Sequence, residues 1–356
     1  MLVFIRFIKF ANHICIDKEC SEWITKTSFQ MTVQERNELF SALDKIVYDP
    51  AGGDTYIHAI RNAMITHLPH RISAALSQQK ASIKPRPYLI LKNVPVDKEV
   101  FFSPCPNQYT PSAKSGNISE NLLAGISSLI GEPYSMYSEG KELINNLIPK
   151  REAKKEYTGL GFDVELDFHI ENAALKHLEQ FNVSPMGLLL AGVRRDPQSP
   201  MTRISDSRLP IAQLGREDIE TLASPLYRIK LPYRWRQSTQ VGREETELVP
   251  LISQNRVLPF VSAVFYPGMI AASTPRAEAA LERFHGLVKK NAIEINICPG
   301  DLVYIDNRFA LHSRDKFIPS FDEKDTPLRW IQRVFVSASL WNHRNLNQVQ
   351  ERIFSI

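Results

Sequence analysis

Cysteine is scarce in this sequence. The 356 residues include four, Cys15, Cys20, Cys105 and Cys298. Their spacing matches neither the CxxC pairs of a zinc site nor the density of a secreted disulfide scaffold. A stapled fold is excluded, and a reducing, cytoplasmic setting is expected. Long apolar runs are missing too: no stretch reaches the roughly 18 uncharged residues that a bilayer span needs. The opening "MLVFIRFIKFANHIC" looks superficially like a leader, but Arg6, Lys9 and His13 interrupt it. No clean small-residue cleavage site follows, so neither export nor a membrane is expected. There is also no excess of one charge: 43 Lys and Arg face 39 Asp and Glu, a formal net charge of +4. The basic residues are scattered rather than gathered into a stripe, so no nucleic-acid partner is expected. No repeat or low-complexity tract is present.

What is present is a hydrophobic fraction of 43%, enough for a real core without staples. The first 30 residues show no legible packed element. "TVQERNELFSALDKIV" then sets Thr32 and Glu35 at capping-box spacing ahead of Leu39, Phe40, Leu43, Ile46 and Val47, which predicts a helix from near Thr32. Further helices are expected over 55–67, over 69–79 after a break at Pro69, and in "NISENLLAGISSLIG", closed by Gly131. "YLILKN" at 88–93 reads as a buried strand.

From there the character changes. "ELINNLIP", "GFDVELDFHIE", "MGLLLAGV", "LYRIKLPYRW", "RVLPFVSAVF", "NAIEINI", "DLVYID" and "LRWIQRVFVSASL" are short strand-like runs separated by Pro, Gly, Asn and Asp. One helix interrupts them, with Thr274 as N-cap, Pro275 at the first helical position and Ala280, Leu281, Phe284 and Val288 on one face. The fold expected is mainly β with helical additions, a sandwich or jelly roll rather than a parallel βαβ sheet.

"LDFHIENA" carries the chemistry. On an extended strand residues i and i+2 share a face, so His169 and Glu171 would project together. Alone the pair means little, because "KHLEQF" supplies another HxE, His177 and Glu179, in helical surroundings where the two diverge. Downstream, "CPGDLVYIDNRFALHSR" ends a strand at Asp306-Asn307 and offers His312. Two histidines and one carboxylate, two close and one remote, make the facial triad of non-haem Fe(II) oxygenases, which leaves coordination positions open. The plain alternative for His312 is a loop histidine bonded to backbone. In "PLRWIQRVFVSAS", Arg329 and Arg333 lie four apart and share one strand face, and inward arginines need anionic partners. Each guanidinium fork suits a carboxylate, one that of a 2-oxo diacid and the other that of a substrate. An outward pair on an edge strand is the alternative, though Trp330, Ile331 and Val334 speak against a fully exposed strand.

Together, "DFHIENA", "PGDLVYIDNRFALHSR" and "LRWIQR" resemble the metal and cosubstrate motifs of the clavaminate synthase-like Fe(II)/2-oxoglutarate oxygenases of the TauD class, which include hydroxylases of free amino acids. The resemblance runs in order from "YLILKNVPVD" to "RVFVSASL" and leaves roughly the first 80 residues aside. It implies a double-stranded β-helix (jelly-roll) core flanked by helices; together with the helices read above, one oxygenase domain is expected over 31–356, helix-rich over 31–130, with the core over about 131–340 and residues 1–30 apart. It also implies His169, Glu171 and His312 as iron ligands and Arg329 as the clamp on the far carboxylate of 2-oxoglutarate. Arg333 would hold the substrate α-carboxylate. Thr202 in "PMTRISD" falls where a hydroxyl often contacts 2-oxoglutarate, and it equally suits an ordinary strand position. "SEGKELINNLIP" makes Ser138 or Glu139 a candidate for the substrate amine.

Two departures stand out. His-Ser-Arg at 312–314 replaces the usual His-Gly-Arg, and Val264, Phe265 and Tyr266 stand where arginine-specific members tend to carry acidic residues. The expected reaction uses Fe(II), 2-oxoglutarate and dioxygen to hydroxylate an unactivated carbon of a free L-amino acid. A basic amino acid of the lysine or arginine type is favoured; the alternatives are a neutral polar amino acid or an amino-acid-derived metabolite. Because Glu171 supplies the carboxylate, halogenation is disfavoured, while desaturation or ring closure stays open. From another class, a cupin-like protein that binds a metal or small ligand without turnover would not need Arg329. A zinc deaminase is rejected because "SPCPN" lies upstream and has one cysteine.

Overall fold

The computed structural model describes residues 26–106, 110–178, 184–232, 242–253 and 259–356. Seven α-helices among the described residues are labelled here: α1 Val33–Leu43, α2 Asp54–His67, α3 His70–Ala81, α4 Ile118–Ile130, α5 Arg208–Gln213, α6 Arg216–Leu222 and α7 Pro275–Lys290. The capping box at α1 is complete: the Thr32 hydroxyl accepts from the Glu35 N–H while the Glu35 carboxylate accepts from the Thr32 N–H. Arg71 of α3 also donates to Glu35 at 2.7 Å, so one carboxylate caps α1 and ties it to α3. At α7 Thr274 accepts from the Ala277 N–H with Pro275 at the first helical position, as the spacing predicts.

α4 ends at Gly131 as expected, for a different reason. Its backbone is extended, with φ −166°, rather than left-handed. Glycine is needed there because a Cβ would collide with the Ser337 carbonyl oxygen of the adjoining sheet.

The strands are β1 Ser28–Gln30, β2 Tyr88–Lys92, β3 Glu132–Met136, β4 Asn145–Leu147, β5 Leu166–His169, β6 Gly187–Arg194, β7 Thr202–Asp206, β8 Tyr227–Ile229, β9 Ile270–Ala272, β10 Ile293–Ile295, β11 Asp301–Asp306, β12 Ala310–Arg314, β13 Trp330–Ser337, β14 Asn347–Gln350 and β15 Ile353–Ser355. Among the described residues the large sheet runs β1-β2-β11-β6-β13-β3-β15-β14, with β4 also on β13. A second sheet runs β10-β7-β12-β5, and β8 pairs β9. Most pairings are antiparallel; β1–β2 and β15–β3 are parallel.

Period-two alternation sorts the core. Leu188, Leu190, Val303, Ile305, Ile331 and Phe335 of the large sheet belong to one buried cluster with Phe168, Ile204 and Leu311 of the small sheet and with Phe284 and Val288 of α7. The intervening residues Leu189, Leu302, Tyr304, Val334 and Val336 face the other way and pack on α1 to α4. The result is mainly β with helices outside, as expected.

Several details differ from the expectation. Within the stretch read as lacking a packed element, Phe29 is buried and β1 extends the large sheet; residues 1–25, with Cys15 and Cys20, lie outside the described residues. Residues 259–265 of "RVLPFVSAVF" form no full strand, only isolated bridges such as His169 with Val264, and 254–258 lie outside the described residues. Glu179 of the chance HxE pair also lies outside them, while His177 ends a 3-10 helix over Ala173–His177. Among the described residues no helix is long and apolar enough to cross a membrane.

Candidate active site

β5 and β12 lie antiparallel in the small sheet with His169 directly opposite His312, and the two rings stand 4.2 Å apart between centroids. The i, i+2 strand geometry expected for Glu171 does not hold, because β5 ends at His169. The chain instead turns there, with Asn172 left-handed at φ 54°. The turn still delivers the carboxylate: ligand atoms of His169, Glu171 and His312 all lie within 4.8 Å of one another. His312 Nε2 is 3.6 Å from Glu171 Oε1.

The protonation states suit a cation. His169 is buried, and its pKa is pushed down to about 3, first by burial and then by the neighbouring His312. Its Nδ1 sits 2.9 Å from the Asp167 carbonyl oxygen, so a proton there leaves the Nε2 lone pair free. Burial alone would push the Glu171 carboxyl up. The Arg333 guanidinium and the two histidines more than offset it and hold the group well below the usual carboxylate range. A neutral imidazole beside an ionised carboxylate is the form in which these groups bind a metal. Two imidazoles and one carboxylate match the donor set of a facial-triad iron site, so the residues fit Fe(II).

The trio faces a cavity of about 710 Å³. Arg329 and Arg333 both line it, because alternation continues along the β13 segment: Arg329, Ile331 and Arg333 face the cavity while Trp330, Gln332 and Val334 face away. Arg329 is buried, its Nε has no hydrogen-bond partner, and its pKa is pulled down to about 9 by burial and then by repulsion from Arg314. Arg314 shares the condition, with Nε and Nη1 unpartnered and its pKa lowered by burial to about 10. The two guanidinium carbons lie 5.2 Å and 5.5 Å from the ring of Phe317. Thr202, opposite Arg314 in the β7–β12 register, is buried on the same wall.

Arg333 is well partnered. It donates to Glu139 Oε2 at 2.9 Å, Glu171 Oε1 at 3.2 Å and Asn145 Oδ1 at 3.3 Å. Burial acts to lower its pKa, but Glu171 and Glu139 reverse that and raise it. Of the two amine candidates, Glu139 lines the cavity and Ser138 does not: Ser138 is exposed in the turn after β3, where successive side chains point apart. Tyr266 stands in the wall, its ring 4.9 Å from His169 and stacked on Tyr157 at 5.4 Å, whereas Phe265 turns away to stack on His285.

Arg314 and Asn145 were missing from the residues predicted to form the site. Arg314 was legible in principle, since it follows His312 at i+2 on one strand. Asn145 was not; it reaches the site only because β4 pairs with β13 and sets it opposite Arg333.

Two histidines and one carboxylate clustered within a mainly β body, with arginines turned inward beside them, define a single-metal oxygenase. The chain belongs to the Taurine catabolism dioxygenase TauD, TfdA family, whose profile matches residues 119–335 and thus spans every candidate residue above. It is similar to the L-asparagine oxygenase of Streptomyces coelicolor, at 26% identity over 298 residues covering 81% of this chain and 82% of that one. An L-lysine 3-hydroxylase of Catenulispora acidiphila is 24% identical over 291 residues, covering 81% and 77%. A crystal structure of asparagine oxygenase in complex with Fe(II), 2S,3S-3-hydroxyasparagine and succinate superposes with TM-score 0.78 at 21% identity, covering 93% of this chain and 100% of that one.

Proposed function

We propose that this chain is an Fe(II)- and 2-oxoglutarate-dependent oxygenase that hydroxylates an unactivated carbon of a free L-amino acid, with a lysine- or arginine-type substrate favoured. The observation that carries the reading is the pair of charge environments on one strand face. Arg329, beside Arg314, is a buried cation with no ion-paired carboxylate among the described residues, Asp196 acting on it only from beyond contact, while Arg333 is paired with Glu139 next to the ligand trio. The first environment calls for a carboxylate from a ligand, such as the far end of 2-oxoglutarate. The second, a cation and an anion side by side, matches the zwitterionic head of a free amino acid, with Arg333 for its carboxylate and Glu139 for its amine.

In this reading His169, Glu171 and His312 hold the iron. The chemistry supplied by bound Fe(II) is the oxidative decarboxylation of 2-oxoglutarate by dioxygen, coupled to oxygen insertion into a C–H bond. The residues of the chain bind and orient: Arg329, Arg314 and Thr202 hold the cosubstrate, Arg333, Glu139 and Asn145 fix the amino-acid head, and Tyr266 with Tyr157 walls the side chain from water. The two facing sheets are read as a double-stranded β-helix, a jelly roll. Residues 31–356 are read as one domain, because β2 from the helix-rich part lies inside the large sheet. A cytoplasmic location is also part of the reading, in keeping with free Cys105 and Cys298.

A neutral polar amino acid is the second reading. Val264 and Tyr266 on the wall carry no charge to meet a cationic side chain, and one relative is an asparagine oxygenase. The test is anaerobic optical titration with Fe(II) and 2-oxoglutarate, then oxygen with pooled amino acids and mass analysis. A charge-transfer band followed by one added oxygen on a lysine- or arginine-type amino acid, with matching succinate, supports the first reading. The same gain on asparagine or glutamine moves the assignment to the second. No band in protein supplied with Fe(II) rejects the metal site.

A further inference from the structure

Glu171 is the one ligand of the trio that no strand holds. It lies beyond the end of β5, in a turn. On an unheld turn the carboxylate would have only its Arg333 contact, or the metal itself, to order it. Its backbone, however, is gripped from across the fold by one side chain. The Glu171 N–H donates to Asn307 Oδ1 at 2.7 Å, and Asn307 Nδ2 donates back to the Glu171 carbonyl oxygen at 3.1 Å. The same Nδ2 donates to the Pro185 carbonyl oxygen at 3.0 Å, and Ser184 Oγ adds a donor to the Glu171 carbonyl at 3.0 Å.

Asn307 is fully buried and stands at the end of β11, in the short connection to β12, which carries His312. Its own carbonyl oxygen faces Lys176 Nζ, which also donates to the Val261 carbonyl oxygen at 2.9 Å. That second contact reaches the segment bridging His169 through Val264.

We infer that Asn307 is a positioning residue that sets Glu171 in register with the two histidines before any metal arrives. The inference rests on the metal-site reading above. A primary amide carries an acceptor oxygen and a donor nitrogen side by side, so one uncharged side chain can accept from the N–H and donate to the C=O of the same residue. Aspartate in its place would turn a carboxylate oxygen toward two carbonyl oxygens and lose the donor. The physical gain is preorganisation: conformational freedom removed in the folded protein is not removed again at binding. Partners that orient metal ligands typically contribute roughly ten- to a hundredfold in metal affinity.

The test measures Co(II) affinity by calorimetry on the full chain, as wild type, as Asn307→Ala and as Asn121→Ala. Asn121 is a matched control: it is a buried asparagine that donates to the Leu43 and Ile46 carbonyl oxygens, among the helices away from the cavity. Both variants should melt earlier than wild type. Asn307→Ala should bind Co(II) about ten- to a hundredfold more weakly, and Asn121→Ala as tightly as wild type. Equal affinity in Asn307→Ala and wild type, or an equal loss in Asn121→Ala, overturns the inference. Absence of Co(II) binding in the wild type would overturn the metal-site reading instead. Hydrogen exchange at the Glu171 amide of metal-free wild type gives an answer that needs no variant. Slow exchange before metal is added supports the clamp, and exchange at the free-peptide rate that slows only with metal refutes it.

Discussion

Replacing Arg329 by lysine keeps the charge in name and changes the binding physics in two ways. The first is geometric. A guanidinium meets a carboxylate with two parallel N–H donors, whereas an ammonium meets it as a point. Losing one hydrogen bond to a charged group costs about 1.5–3 kcal/mol, which is roughly ten- to a hundredfold in the dissociation constant for 2-oxoglutarate.

The second follows from the surroundings. Burial and Arg314 draw the Arg329 pKa down to about 9, which still leaves it charged at neutral pH. A lysine starts about two units lower, so the same burial and the same Arg314 neighbour would bring its pKa closer to neutrality than that of the arginine and leave more of it uncharged in the empty site. Its affinity for 2-oxoglutarate should therefore fall as pH rises through neutrality, while wild type stays flat over that range. The assay is the anaerobic optical titration of Fe(II)-loaded protein with 2-oxoglutarate at several pH values, which needs no amino-acid substrate. Unchanged affinity and an unchanged pH profile in Arg329→Lys would show that the cosubstrate carboxylate sits elsewhere.

His169→Ala and His312→Ala should each abolish iron retention and turnover; metal analysis with succinate assay checks this, and activity in an iron-free variant rejects the trio. Glu139→Gln should weaken amino-acid binding about tenfold or more by removing a charged partner, with 2-oxoglutarate titration unaltered; a loss confined to 2-oxoglutarate would reverse the assignment of the two arginines. At α1, Glu35→Ala should lower stability by about 1–2 kcal/mol in urea unfolding. Hydrogen bonding from Arg71 draws the folded Glu35 pKa down from 4.5 to about 2, so its stabilisation is fully present above 4.5 and is lost as pH falls toward 2. The wild-type advantage over Glu35→Ala should shrink across that window; an advantage independent of pH would show that the ion pair contributes nothing.

Much of the fold was legible because its signals are local. Thr32 with Glu35, and Thr274 with Pro275, mark helix starts through bonds that span three residues. The alternation of β13 sorts Val334 and Val336 from Ile331 and Phe335 without reference to any partner. Strand β12 is not legible for a related reason. In β12 all five residues are buried, and they include His312, Ser313 and Arg314, so the polar groups of the site erase the usual contrast between faces. Ser138 and Glu139 could not be told apart, because which of two neighbours points inward is decided by a turn whose direction β3 and β15 set.

The sequence by itself determined the mainly β character, the helix starts, the three metal-ligand candidates and the two arginines on one strand face. The helix starts and the pairs His169 with Glu171 and Arg329 with Arg333 rest on residue type and short spacing, and His312 rests on the resemblance of its motif. Only the tertiary structure decided that Glu171 reaches the site from a turn rather than a strand, held by a side chain 136 positions away. It likewise decided that Arg333 meets Glu139 across 194 positions and that Arg314 stands beside Arg329 with its Nε and Nη1 lacking hydrogen-bond partners. Hydrogen bonds and charge repulsion act within a few ångströms in space. Where such contacts join residues far apart in the chain, only the folded arrangement of sheets and turns brings them together, and no local pattern can announce them.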